Sequence, residues 1–215
     1  MGFSPLDRGN GVEELLGIWG KVCQSICIAV SWIDGSDCRM WCVVHVKDGG
    51  EGQAEAFVAG LLPGELNARC FHLIRSRRKK YEGKWQTVYE DLFPGYVFID
   101  TDQPEKVYKE LKKTPKPNLL FSDDEYVSTL EEHETELMER LADRRGRIGI
   151  SRVRIGVDGK ISYLSGPLLG MGNRVRRVNL HKRIAEIEAE IMGRKRLLYL
   201  GIEIEADERR NACET

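Results

Sequence analysis

From residue 40 onward, the chain alternates strand-like and helix-like hydrophobic patterns. The run WCVVHV, residues 41–46, is rich in β-branched residues and is typical of a buried strand. Apolar residues at helical spacing then predict a helix that Pro63-Gly64 ends, and its apolar face is formed by Ala54, Phe57, Val58, Leu61 and Leu62. Further strands are predicted at 70–74 and in GYVFID, 95–100, and a second helix is predicted in EKVYKELKK, 105–113.

A charged hairpin and a third helix complete this region. Residues 75–91, RSRRKKYEGKWQTVYED, are typical of two arms joined by a turn at Glu82-Gly83, and the first arm carries Arg75, Arg77, Arg78, Lys79 and Lys80. After the short apolar run 119–121, Ser128-Thr129-Leu130-Glu131 fits a capping box for a helix whose inward face is Leu130, Leu137, Met138 and Leu141. The order β-α-β-β-β-α-β-α predicts an α+β domain over residues 40–142, with helices flanking a mostly antiparallel sheet.

The C-terminal third has a different pattern. Residues 143–152, DRRGRIGISR, are basic and poor in large apolar groups, so we interpret 143–151 as a linker. Short segments separated by turns then predict a small β-barrel over 152–206, followed by a tail at 207–215. Residues 185–191 alternate apolar and acidic residues at the strand period, although Ile184, Ile187 and Ile191 also have helical spacing. We favour a strand here.

The first 39 residues fit neither region. Their apolar run, 18–33, is interrupted by Lys21, Gln24 and Ser25, and its longest clean part is shorter than the roughly 20 apolar residues that span a bilayer. The residues before it lack the basic start of a secretory signal. We expect 1–39 to be a weakly ordered leader or non-native extension, with Met40 as the natural start; the alternative is a functional extension.

Charge is segregated although the net charge is only -1. Residues 172–196 hold eight Lys or Arg against three Glu, whereas 123–139 hold eight Asp or Glu and neither Lys nor Arg. A basic surface suits a polyanion, and an acidic helix is typical of a solvated face.

No catalytic or metal-binding pattern is present in the sequence. The six cysteines show no C-x-x-C spacing, the four histidines form no H-E-x-x-H pattern, and no P-loop, dinucleotide fingerprint or nucleophile elbow occurs. We therefore expect no enzyme, no cofactor and no metal site, and a cytoplasmic, monomeric protein with reduced thiols and no membrane association.

Several motifs together resemble the NusG family of transcription elongation factors, and within it the specialised LoaP-type paralogues. The resemblance covers about residues 41–205 and rests on WCVVHV, on LFPGYVFI before a helix, and on SGPLLGMGNRV followed by HKRIAEIEAEIMGR and LGIEI. It implies an N-terminal domain that binds the clamp helices of RNA polymerase, and a C-terminal KOW β-barrel. In general NusG that barrel recruits Rho or a ribosomal protein, whereas in the LoaP type it binds a nascent RNA hairpin and gives processive antitermination.

The resemblance also implies a polymerase-binding patch. Phe93 and Tyr96 match the aromatic residues of the family's F-P-G-Y motif that insert against the clamp helices, and Trp41 matches an aromatic residue of the same patch. Pro94 and Gly95 shape the turn between them, since Pro fixes φ and Gly permits backbone angles closed to other residues. The alternative is that Phe93 and Tyr96 are core residues of a half-buried strand.

For the KOW region, the resemblance implies glycine turns at Gly166 and Gly170. The candidate RNA surface comprises Arg174, Arg176, Arg177, His181, Lys182, Arg183, Arg194, Lys195 and Arg196. Strand alternation would place Arg176 and Arg177 on opposite faces, so the loops 181–183 and 194–196 are favoured for RNA binding. The alternative is a solvated positive face without a ligand.

Two departures from the family pattern affect the prediction. Asn179-Leu180 precede HKR where the LoaP type is expected to have Asp-Arg, and Leu168 stands where general NusG tends to carry an aromatic residue that serves protein partners. Three functions remain open: an RNA-binding antiterminator, a general elongation and termination factor, and an RNA-binding barrel protein with no polymerase role. One specialised family member refolds its KOW domain as a helical hairpin, but we expect a constitutive barrel here.

Overall fold

A computed structural model describes residues 40–66, 68–113 and 127–205 of the 215-residue chain. The expected leader, the tail at 207–215 and the apolar run 119–121 lie outside the described residues. The helices are α1 (Glu51–Leu61), α2 (Pro104–Lys113) and α3 (Glu132–Leu141). The strands are β1 (Met40–His45), β2 (Arg69–Phe71), β3 (Ile74–Tyr81), β4 (Lys84–Asp91), β5 (Tyr96–Thr101), β6 (Val127–Thr129), β7 (Arg147–Ile148), β8 (Ser151–Ile155), β9 (Ile161–Ser165), β10 (Val175–Asn179), β11 (Ile184–Ile191) and β12 (Arg194–Ile204).

The N-terminal sheet has the strand order β2-β5-β1-β6, and all of its pairs are antiparallel. Side chains of a strand alternate between the two faces of the sheet, and here both faces are buried. Val97 and Ile99 pack with residues of α1 and α2, as their alternation predicts. Trp41 and Phe98 lie in a second apolar cluster with residues of α3. The predicted α+β architecture is therefore confirmed in this region.

The basic hairpin, β3 and β4, forms a separate three-stranded sheet with β7 in the order β4-β3-β7. Glu82 and Gly83 both have positive φ, 47° and 83°, which is the geometry of a two-residue hairpin turn. The strand predicted at 70–74 divides into β2 and β3, so this part of the chain serves two sheets.

The cap of α3 differs from the predicted one. Ser128 and Thr129 belong to β6 and pair with β1, and the N-cap is Glu131. The capping box is completed by Glu134, whose Oε2 accepts the backbone N–H of Glu131 at 3.1 Å. The predicted N-cap was wrong by one helical turn. Two capping-box patterns overlap here, Ser128 with Glu131 and Glu131 with Glu134, and Ser128 belongs to a strand instead. Leu130 and the three predicted inward residues of α3 are buried.

Residues 143–151, interpreted as a linker, contain β7, which pairs in parallel with β3. Ile148 is fully buried. Gly146 has a φ of 72°, and a Cβ there would lie 2.6 Å from the carbonyl oxygen of His72. This segment therefore packs against the hairpin.

The C-terminal sheet consists of five strands in the order β10-β11-β12-β8-β9. The ambiguous segment 185–191 lies within β11, so the predicted strand is confirmed. Its apolar residues are buried, while Glu188 and Glu190 are exposed. Within the described residues no pairing joins β9 to β10, so closure of the sheet into the expected barrel is not observed.

The C-terminal sheet packs on the N-terminal domain through a shared apolar cluster. Ile187, Leu198 and Leu200 belong to the same buried cluster as Trp41 and Phe98. The backbones approach closely at Gly201, where an added Cβ would lie 2.3 Å from the carbonyl oxygen of Ser76. Only a residue without a side chain fits this approach.

Across the described residues, no helix combines the length and the apolar character that a membrane crossing requires.

Candidate functional site: the aromatic turn and the basic surfaces

The aromatic turn, residues 93–96, connects the basic hairpin to β5. Gly95 has a φ of 80°, as predicted from its place after Pro94, and a Cβ there would lie 2.6 Å from Asp48 Oδ1. Its N–H donates to Glu51 Oε1 at 2.7 Å, and the same oxygen accepts the N–H of Gly49 at 3.1 Å. Burial raises the pKa of Glu51, but these backbone donors outweigh it and hold the pKa below its usual range. The carboxylate at the start of α1 therefore fixes the turn.

The members of the predicted polymerase-binding patch differ in exposure. Trp41 and Phe93 are only 2% and 4% exposed, Tyr96 is half-buried and Pro94 is exposed. The Trp41 ring meets Phe71 edge-on at 4.8 Å between centroids, and Phe93 lies 6.0 Å from Phe98. Trp41 and Phe93 thus contribute to the core, and the surface of the turn consists of Pro94 and Tyr96.

Arg196 from the C-terminal sheet covers both rings of the turn. Its guanidinium carbon lies 5.9 Å from the centroid of Phe93 and 5.8 Å from that of Tyr96. The Tyr96 ring also stacks on the His45 ring, with 4.9 Å between the two ring centroids. Arginine over an aromatic face is attracted by the ring quadrupole. The sequence placed Arg196 on an RNA-binding loop, and its contact with the turn was not predicted.

Glu134 holds the β11–β12 turn against α3. The carboxylate is buried, its Oε2 caps α3, and its Oε1 accepts the N–H of Gly193 at 3.1 Å. Met192 and Gly193 both have positive φ, so the turn is tight. Arg196 therefore reaches the aromatic turn from a segment that is fixed at its base.

Four of the five cations of β3 pair with two carboxylates, Glu90 of the hairpin and Glu203 of β12. Glu90 forms ion pairs with Arg75, Arg77 and Lys79 at 2.6–3.2 Å. Burial raises the pKa of Glu90, but the hydrogen bond from Lys79 and the positive charges of these three residues outweigh it, so the pKa is lowered. Arg78 donates to Glu203 of β12 at 2.5 Å. The sequence shows the positive charges of this arm, but the pairing that offsets part of this charge is visible only in the fold.

The predicted RNA-binding residues fall into two groups. Arg183 and Arg196 contact the N-terminal domain, Arg183 through the Trp85 ring at 5.0 Å. The others are exposed: Arg174, Arg176, Arg177, His181, Lys182, Arg194 and Lys195. The structure therefore does not bring the nine residues together on one surface.

A β-bulge corrects the predicted orientation of Arg176 and Arg177. Val175 pairs with Ile187, and Arg177 pairs with Glu186, so Arg176 is an extra residue on β10. Because the bulge interrupts the alternation, both arginines are exposed while Val175 and Val178 are partly buried. The prediction that the two arginines lie on opposite faces was wrong.

Gly166 and Gly170 both have positive φ, 88° and 74°, as expected for glycine turns. At Gly166 an added Cβ would lie 2.7 Å from Ser151 Cα. Leu168, between them, is fully buried, and its N–H donates to Ser151 Oγ at 3.0 Å. The residue at this position is therefore a core residue.

The two described cysteines are free thiols in the N-terminal sheet. Burial raises the pKa of Cys42 to about 12, and burial together with the charge of Glu55 raises the pKa of Cys70 to about 12. A raised pKa suppresses the thiolate and therefore the reactivity of these thiols. Among the described residues, no group of three or more His, Cys, Asp or Glu could hold a metal ion.

The N-terminal region is an α+β domain in which an aromatic Pro-Gly turn and a basic hairpin adjoin a buried antiparallel sheet. Residues 39–145 match the family model NusG, which is described as transcription termination factor nusG. The chain therefore carries a NusG family domain over these residues. A solved structure described as domain interaction in Thermotoga maritima NusG is similar at 15% identity and a TM-score of 0.36, covering 76% of this chain and 93% of that one. A comparison with curated proteins gave no match.

Proposed function

We propose that this protein is a transcription elongation factor that binds elongating RNA polymerase through the aromatic turn. The observation that carries the proposal is that the turn lies within the matched NusG domain, with Tyr96 at its surface. An aromatic side chain on a rigid turn supplies interface energy at low entropic cost. Gly95 and Glu51 supply that rigidity.

We further propose that the protein acts as a processive antiterminator of the LoaP type, in which the C-terminal sheet is a KOW domain that binds a nascent RNA hairpin. The exposed arginines of β10 support an anionic ligand. In this role the protein is a cytoplasmic monomer without catalytic activity.

The covering of the aromatic turn by Arg196 has a consequence for this role. Clamp helices cannot occupy the face of Tyr96 while the guanidinium lies over it. Polymerase binding at this face therefore requires the Arg196 side chain to move away, and the affinity measured for the free protein includes the cost of that movement.

Replacement of Tyr96 tests the polymerase contact. We expect Tyr96→Ala to weaken binding to a reconstituted elongation complex by about 30-fold, the loss of a hot spot of roughly 2 kcal/mol. Phe93→Ala is a poorer test, because truncation of a buried Phe costs about 3 to 5 kcal/mol of stability.

Tyr89 provides the matched control, since this hairpin tyrosine is 68% exposed. We expect Tyr89→Ala to bind the elongation complex as the wild type does. Binding by Tyr96→Ala at the wild-type level, with an unchanged circular dichroism spectrum, would contradict the proposal.

A general elongation and termination factor is the second candidate, favoured by the termination description of the matched family. In that case the C-terminal sheet recruits Rho or a ribosomal protein. Transcription in vitro across a terminator separates the two, because an antiterminator increases readthrough when its RNA hairpin is present, whereas the general factor increases Rho-dependent termination without it.

A further inference from the structure

A groove lies between the two edge strands of the C-terminal sheet. It has a volume of about 700 Å³ and is lined by residues of β9, of β10 and of the glycine-containing loop between them. Both edges line the same groove because the sheet curls, yet no pairing joins β9 to β10 within the described residues. The groove is therefore the gap that remains between β9 and β10.

The lining of the groove combines positive charge, an aromatic ring and glycines, which have no side chain. Arg176, Arg177, Asn173 and Tyr163 line it, and none of its lining residues is acidic. Burial raises the pKa of Tyr163, so its phenol stays neutral. Gly172 abuts the ring, and a Cβ there would lie 3.5 Å from Tyr163 Cε2.

The β-bulge supplies two adjacent cations on the same side of the groove. Arg176 is the extra residue of the bulge, and Arg177 follows it with the same outward orientation. Glu188 pairs with Arg176 at 3.3 Å, but this pair is exposed, and such pairs are worth little. No ion pair to Arg177 is found among the described residues, which leaves its guanidinium available for an anion.

Each of the two loops favoured from the sequence carries one arginine that already contacts the N-terminal domain. Arg183 lies over Trp85, and Arg196 lies over Phe93 and Tyr96. By contrast, no ion pair or ring contact joins Arg176 or Arg177 to the N-terminal domain among the described residues. Lys182, Arg194 and Lys195 are exposed as well, but Arg176 and Arg177 line a groove that also contains an aromatic ring.

We propose that this groove binds an unpaired stretch of RNA, with a base stacked on Tyr163 and phosphates on Arg176 and Arg177. The inference rests on the proposed RNA-binding function and assigns it a site. Basic grooves with an aromatic platform bind single strands, because every base has a π-face and every nucleotide a phosphate. An added protein strand is disfavoured, since the bulge distorts β10 and bulged edges resist strand addition. Hairpin loops and bulges offer such unpaired bases.

The test uses fluorescence anisotropy of the full chain with a labelled uridine-rich RNA of about eight nucleotides, within the roughly 4 to 16 that the groove of an OB fold covers. We expect Tyr163→Leu to weaken binding about tenfold and Tyr163→Phe to leave it unchanged, because stacking needs the ring and not the hydroxyl. Gly172→Leu should also weaken binding, since it fills the groove beside the ring without changing the charge.

The matched charge control compares two double variants. Arg176→Gln with Arg177→Gln should weaken binding at least tenfold, while Arg144→Gln with Arg145→Gln, which removes the same charge at the exposed loop before β7, should change it by no more than about twofold. A circular dichroism spectrum of each variant confirms the fold.

Each other outcome overturns the inference in a recognisable way. Equal losses in the two double variants show nonspecific charge attraction, and equal affinity for a fully paired RNA of the same length excludes the unpaired ligand. Competition by polyglutamate as strong as by the RNA indicates a site for acidic protein. If the wild type binds a labelled hairpin RNA but the groove variants bind it equally well, the assignment of the site to the groove is wrong, whereas the proposed RNA-binding function is supported. If the wild type binds no RNA, both the proposed site and the proposed RNA-binding function are wrong. Polymerase binding through Tyr96 is then still tested separately.

Discussion

Gly95 shows how one residue without a side chain sets the geometry of the candidate polymerase contact. Its φ of 80° lies in the left-handed region, and its N–H is held by Glu51. The Pro-Gly pair predicts this turn from sequence alone, because glycine is the residue that adopts positive φ without cost. The role of Glu51 could not be predicted, since 44 residues separate it from the turn and only the fold brings them together.

We expect Gly95→Ala to destabilise the protein more than Gly83→Ala. Both glycines have φ near 80°, so each substitution costs about 1 to 2 kcal/mol of left-handed backbone strain. Only at Gly95 does the added Cβ also meet a neighbour, Asp48 Oδ1 at 2.6 Å. The free energy of unfolding in urea measures both variants, and equal losses would show that the contact with Asp48 relaxes freely.

At the scale of elements, local patterns predicted the strands and turns but not the irregularities. The alternation in β11 and the Glu82-Gly83 turn are set by nearby residues, and both were predicted correctly. The bulge in β10 depends on which residues of β11 stand opposite, so the sequence of β10 alone gives the wrong face for Arg177. The N-cap of α3 differs from the predicted one for the same reason, since Ser128 pairs with β1 and is not available as a cap.

The contact between β12 and β3 gives a prediction at this scale. In Gly201→Ala the Cβ would meet the carbonyl oxygen of Ser76 and Arg77 Cα, and neither backbone atom can move aside alone. We expect β12 to separate from β3, so that amide hydrogen exchange in β3 speeds up and binding to the elongation complex becomes tighter.

Gly60→Ala is the control for Gly201→Ala. A Cβ at Gly60 in α1 meets nothing within 4 Å, and alanine in a helix is favoured over glycine by about 1 kcal/mol. This variant should keep the exchange rates of β3 and the polymerase affinity of the wild type. An exchange pattern in Gly201→Ala identical to that of the control would rule out the predicted separation.

At the scale of the whole molecule, the N-terminal domain and the C-terminal sheet share one buried cluster. The periodicities of Trp41–Val46 and of β11 each predict a buried face, but they do not reveal that the two faces meet. The resemblance suggested two domains joined by a linker, whereas β7 and Ile148 lie within the packed structure. Long-range packing of this kind is not encoded in any local pattern.

A shared cluster predicts cooperative unfolding. We expect urea to give one transition with coincident midpoints for tryptophan fluorescence and far-ultraviolet circular dichroism, because loss of either half removes the packing of the other. Two separated transitions would show that the halves are stable independently and that the cluster contributes little between them.

The carboxylate of Glu134 couples a helix end to a distant turn. One oxygen caps α3 and the other holds Gly193, so the two structures share a single buried anion. A displacement of the β11–β12 turn would take one partner from that anion and expose the carboxylate that caps α3 to water. We therefore expect any displacement of this turn to loosen the start of α3 as well, and a molecule that stabilises this helix end to keep the turn, and Arg196 beyond it, in place.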